Sequence, residues 1–185
     1  MRLKDEAYEE IKQEVIHLLI QQKISSFPIN GIELAKKMKI TLVKYSELSE
    51  EKLEAVMKLS PDGCFFADSD GKEYIYYNDA RSYERCNMTI LHEIGHCVRD
   101  HDGKTNPEEA ESEANFFAKY AIAPPPLVHQ FKPRCPEDIQ AHFCISCEAA
   151  NYAFSYYQKW LSHGNGIYTA YERELLRSFD FEIAC

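Results

Sequence analysis

The chain has 185 residues, 45% of them hydrophobic, and a formal net charge of -9, enough apolar content for one core with a helical extension. The acidic balance excludes a general nucleic-acid binder, which needs a basic face to neutralise phosphates. No apolar run reaches the ~20 residues of a membrane span, and the charged opening Met1-Arg2-Leu3-Lys4-Asp5-Glu6 does not resemble a signal peptide. A cytoplasmic protein is the expectation, and its seven cysteines, an odd number with nothing to mark secretion, are read as reduced thiols, Cys185 included.

Asp5 to Gln22 places Ala7, Ile11, Val15, Leu18 and Leu19 on one side and predicts an amphipathic helix. Ile24 to Asn30 reads as a turn region, Gly31 to Met38 as a short helix, and Ile40 to Tyr45 as a strand. Lys36, Lys37 and Lys39 are a solvated helix face. Ser46 to Leu59 is expected to be helical. Gly63 to Ala67 and Glu73 to Tyr77 then flank Asp68-Ser69-Asp70-Gly71-Lys72 as a hairpin. The aspartates of that turn lack the closing glutamate of a calcium loop, so a plain turn is expected.

The next segment is Leu91-His92-Glu93-Ile94-Gly95-His96. On a helix, side chains four apart share a face, so His92 and His96 can grip one zinc ion while Glu93 reaches the water on it. This is the His-Glu-x-x-His arrangement of zinc hydrolases, in which the metal lowers the pKa of its water and the carboxylate takes the proton. Met88, Ile90, Leu91, Ile94 and Val98 supply apolar residues around the pair, as in a buried helix that turns its metal face into a cleft. Gly95 costs a helix about 1 kcal/mol relative to Ala, and close packing or a tight site accounts for it better than propensity. Cys97 points about a hundred degrees away from His96 and is read as packing.

A catalytic zinc takes three protein ligands and an open fourth position. His101 and Asp102 follow His96 too closely to fold back unless the chain turns sharply, and Arg99 stands where short-spacer zinc proteases have a glycine. Asn106-Pro107-Glu108-Glu109 reads as a helix start, with Asn as N-cap and Pro at the first position. That helix continues through Tyr120 and ends at Pro124-Pro125-Pro126. On it Glu111 and Asn115 share a face, which suits a ligand carboxylate with a polar partner that orients a ligand histidine. Glu111 is therefore assigned as third ligand, with Glu113 the alternative because sequence fixes helix phase weakly. The remaining acidic residues, Glu108 and Glu109, favour the helix dipole.

Further on, Cys144-Ile145-Ser146-Cys147 has redox or zinc-knuckle spacing but no second ligand pair nearby. Tyr152, Phe154, Tyr156, Tyr157 and Trp160 lie on a helix that Ser162-His163-Gly164-Asn165-Gly166 breaks, and Ile167 to Arg177 forms another helix. The whole is expected to be α+β: a mainly helical zincin-like domain, residues 1–125, with a small antiparallel sheet beside the zinc helix, and a C-terminal helical extension, residues 126–185, packed on it as part of a single folding unit. An edge of that sheet, from either strand of the hairpin, would hold an extended peptide by strand addition. Phe65, Phe66, Tyr74, Tyr76 and Tyr77 would line its pockets or simply cover the zinc helix.

Thr89-Ile90-Leu91-His92-Glu93-Ile94-Gly95-His96, Glu111-Ser112-Glu113-Ala114-Asn115-Phe116-Phe117-Ala118, the closing Pro124 and the weaker block from Pro136 to Ala150 resemble the ImmA/IrrE-type metallopeptidases of bacteria, phages and mobile elements. The resemblance covers roughly residues 5–160. It departs just before the zinc helix, where Asn87-Met88 replaces a common Arg-Phe pair. It implies a gluzincin-like site in which His92, His96 and Glu111 bind Zn2+ and Glu93 is the base. It also implies, as substrate, a regulatory protein such as a helix-turn-helix repressor. The alternative is a non-cleaving regulator that binds a repressor or antitoxin through the same fold. His101, His129, His142 and His163 are chemically suited to stabilise an oxyanion, and the sequence selects none of them.

Overall fold

A computed structural model describes residues 2–101, 105–164 and 166–181. The order is α1 (Asp5–Gln21), α2 (Gly31–Lys37), β1 (Thr41–Lys44), a 3-10 turn (Tyr45–Glu47), α3 (Glu50–Leu59), β2 (Gly63–Ala67), β3 (Glu73–Tyr77), α4 (Tyr83–Val98), α5 (Pro107–Ile122), α6 (Pro125–Gln130), α7 (Pro136–Phe143), α8 (Cys147–Gly164) and α9 (Ala170–Ser178). The fold is the expected mainly helical α+β. Among the described residues, no helix is long and apolar enough to cross a membrane.

The helix starts follow from capping chemistry. Asn30 accepts from the Glu33 N–H at 3.1 Å, Ser82 from Arg85 at 3.3 Å, and Asn106 from Glu108 and Glu109 at 2.9 and 3.3 Å, each satisfying N–H groups that have no partner inside the helix. The span expected as one helix from Ser46 begins with the 3-10 turn, and α3 starts only at Glu50, after Ser49. The proline run that closes α5 also opens α6, an element with no separate signal in the sequence. Pro125 and Pro126 fill its first positions, where no N–H is needed.

The sheet order is β1-β3-β2. β2 pairs antiparallel with β3, with Phe65 opposite Ile75, as the hairpin predicts. β1 pairs parallel with β3, with Leu42 also opposite Ile75, so the sheet is mixed where an antiparallel one was expected. The segment through α3 reverses the chain once and the Asp68–Lys72 turn reverses it again, which returns β3 along the direction of β1. Asp68 accepts from the N–H groups of Asp70 and Lys72 at 3.0 and 2.9 Å, so the turn is the plain one expected. β3 is the central strand and offers no edge; β2 and β1 do.

The chain forms two compact units. One is built mainly from Asn30–Ala118, the other from Lys4–Ile29 and the chain from Lys119 onward. The N-terminal helix thus groups with the C-terminal helices. In the first unit α4 packs against α2, β2 and β3, and Leu34, Ile75, Ile90, Leu91 and Ile94 are wholly buried. In the second, α1 packs on α9 and α8 on α6 and α7. Phe27 there meets Phe131, Phe143 and Phe179 with ring centroids 5.0–5.2 Å apart.

Candidate metal centre

Every residue of the site comes from the first unit. On α4, His92 and His96 are one turn apart, and their Nε2 atoms approach to 3.0 Å. Glu111 on α5 completes the group: Oε2 lies 3.5 Å from His92 Nε2, and Oε1 lies 3.3 Å from His96 Nε2. Ligands held about 2.0–2.1 Å from a tetrahedral zinc stand about 3.3–3.4 Å from one another, so three edges of 3.0, 3.3 and 3.5 Å fit such an ion. Among the described residues these three form the group of metal-ligating side chains that could hold one.

Gly95 makes this meeting of helices feasible. A Cβ added there would lie 3.1 Å from Phe117 Cβ and 3.2 Å from Ala114 Cα, so the missing side chain lets α5 approach α4 one residue from His96. Ala114 is three residues beyond Glu111, on the same stretch of α5. Helix phase separates the two glutamates that sequence left open: Glu111 faces the histidines, and Glu113 faces Arg99 and His101.

The electrostatics suit metal binding. Burial holds the His92 ring below its ordinary pKa, and burial together with the adjacent His92 pushes His96 down to about 4. Both rings are therefore neutral at pH 7, the form that ligates. Asn115 donates from Nδ2 to the Glu111 carbonyl at 2.7 Å, and its side chain also hydrogen-bonds the His92 ring. Glu93 is 7% exposed. Burial raises its pKa to about 7, against the opposing pull of the Phe65 backbone N–H that it accepts from. Together with Leu59, Pro61, Gly63, Cys64 and Phe65, the group lines a cleft of ≈ 420 Å³.

His101 departs from expectation. It does fold back, because Asp100 takes the left-handed conformation with φ 51° and the chain closes in a Schellman turn, His101 N–H to His96 O and Asp100 N–H to Cys97 O, both 3.1 Å. Its ring meets Nδ1 of His96, away from Nε2. Asp102 lies outside the described residues, as does Cys185. Cys97 donates to Glu73 Oε1 at 3.1 Å, a packing contact as expected. His129, His142 and His163 all fall in the second unit, where they bond Tyr157 Oη, Asp138 O and Lys159 O at 2.8, 2.8 and 2.7 Å.

Residues 40–155 match the family profile described as the IrrE N-terminal-like domain, Peptidase_M78. The chain belongs to the Peptidase_M78 family. The matched span takes in the sheet, α4 and α5, and so every residue of the His-His-Glu group, and the family is one of peptidases. No curated protein matches the sequence. The pairing of Arg99 with Glu113 beside His101 in this Peptidase_M78 chain is not visible in the sequence. The only signal for it is an aspartate in the αL position after the helix, a residue type that tolerates that conformation.

Proposed function

We propose that this Peptidase_M78 chain is a zinc-dependent endopeptidase that cuts a regulatory protein, a helix-turn-helix repressor of a phage or mobile element. One observation carries the reading: two neutral imidazoles and a carboxylate converge at 3.0–3.5 Å in the same cleft as a buried carboxylate whose pKa stands at about 7. Bound by His92, His96 and Glu111, a zinc ion supplies Lewis acidity towards a scissile carbonyl and towards water.

Glu93 takes the proton of the attacking water and passes it to the leaving nitrogen. A pKa close to neutral serves both transfers. The Phe65 N–H steadies its carboxylate from β2, and Asn115 steadies the His92 ring. The outer edge of β2 is where a peptide can add as a strand, and Phe66, 54% exposed there, would meet its side chains. The repressor as substrate is supported by the sequence resemblance alone.

The test is the metal content of purified wild type, His92→Ala and Glu111→Gln, each then incubated with a candidate repressor beside a Glu93→Gln control. The expected result is one zinc per chain in wild type and Glu93→Gln, less in both ligand variants, and no cleavage by Glu93→Gln. A regulatory effect that survives Glu93→Gln would instead establish a non-cleaving partner of the repressor.

A further inference from the structure

We propose that His101 is a positioning residue for the metal site and that, backed by Glu113 and Arg99, it fixes which nitrogen of His96 carries the proton and where the ring points. The inference rests on the zinc reading of His92, His96 and Glu111.

The contacts form a chain. His96 turns Nε2 towards His92 and Glu111 and Nδ1 towards His101 Nδ1, 2.9 Å away. Two ring nitrogens at that distance that share no cation require that one donate and the other accept. The other end of the His101 ring decides which: Nε2 lies 3.0 Å from Glu113 Oε2, and an ionised carboxylate can only accept. Nε2 of His101 therefore carries a proton, and a ring with that one proton presents a lone pair at Nδ1. His96 must then donate from Nδ1, which leaves its Nε2 lone pair bare and aimed at the other two ligands.

Arg99 anchors the far end. Its Nε and Nη2 donate to Oε2 and Oε1 of Glu113 at 2.9 and 3.0 Å, a paired contact that fixes the plane of the carboxylate. The side chains are sheltered, with exposures of 5% for His101, 15% for Arg99 and 9% for Glu113, so water competes little for these bonds. The wrong tautomer of His96 would place a hydrogen on Nε2, where no cation can be ligated. Carboxylates that orient a ligand histidine in this way typically change metal affinity by about 10- to 100-fold when removed; here a second histidine is interposed between the carboxylate and the ligand.

Two measurements test this. In the zinc-loaded wild type, long-range 1H–15N spectra of the imidazoles should show His96 protonated at Nδ1 and His101 protonated at Nε2. Chelator competition should show zinc affinity lower by about tenfold or more in His101→Ala and in Glu113→Gln. His101→Asn, which puts an amide oxygen near the position of Nδ1, should restore most of it. A His101 ring protonated at Nδ1, or His101→Ala and Glu113→Gln proteins that hold zinc as tightly as wild type, overturns the proposal while the zinc reading stands. A wild type that holds no zinc overturns both.

Discussion

Glu93 has a single backbone N–H to hold its charge inside the fold, and the consequence is a dependence of stability on pH. Burial raises its pKa from 4.5 to about 7, so the native state favours the protonated acid. That preference is fully present below pH 4.5 and is lost as the pH rises through 7, so above neutrality the native state carries the cost of a buried anion. Glu93→Gln cannot ionise and can still accept from Phe65. In chelator-treated protein it should therefore be more stable than wild type at pH 8.5 by up to about 3 kcal/mol, with the difference nearly gone at about pH 4. Denaturant unfolding at both values checks this, and a variant less stable at pH 8.5 would show that the carboxylate is well solvated or well paired. The residues of the centre were legible because their spacing is periodic: His92 and His96 share a helical face by count alone. The partnership of Arg99, His101 and Glu113 was not, since it depends on one left-handed residue, Asp100, and on the phase of a second helix.

Between elements, the position of α5 against α4 decides whether Glu111 reaches the histidines, and Gly95 holds that spacing. Gly95→Ala gains about 1 kcal/mol of helix propensity but sets a Cβ 3.1–3.2 Å from Phe117 and from the Ala114 backbone. Overpacking of this kind costs about 1–3 kcal/mol, so the expected outcome is a protein no more stable than wild type whose zinc affinity has fallen because α5 moves. Equal affinity by chelator competition would mean that the helices absorb the methyl without carrying Glu111 away. Two turns earlier on α4, Asn87 Oδ1 accepts from the Gly31 N–H at 2.6 Å and so satisfies the first N–H of α2. Asn87→Ala should cost about 1–3 kcal/mol in urea unfolding. Here the sequence gives no sign of the partner of Asn87, which lies 56 residues away. Helices with caps and the hairpin with its Asp-Gly turn were readable because their signals are local. The parallel pairing of β1 was not, because pairing direction depends on the path between strands, and α6 was hidden by prolines that both end one helix and begin the next.

At the scale of the whole molecule, the composition of the two units was the least legible feature. Tyr171 donates to Glu9 Oε1 at 2.6 Å across 162 residues of sequence, and no periodicity in α1 announces α9 as its neighbour. The division nevertheless has a measurable consequence, because His92, His96, Glu93, Glu111 and the Arg99–Glu113–His101 set all fall within Asn30–Ala118. A ligand that binds only the native state stabilises it by about 2.7 kcal/mol at a hundred times its Kd, and that protection reaches only those openings that break the site. Zinc at that concentration should slow hydrogen exchange about a hundredfold in α4 and in the first three turns of α5. Amides of α8 and α9 that exchange through local openings of the second unit should keep their rates, since such openings leave the ligands in place. If zinc instead slows α8 and α9 as much as α4, those helices exchange only when the metal site itself opens, and the two units unfold as one cooperative body.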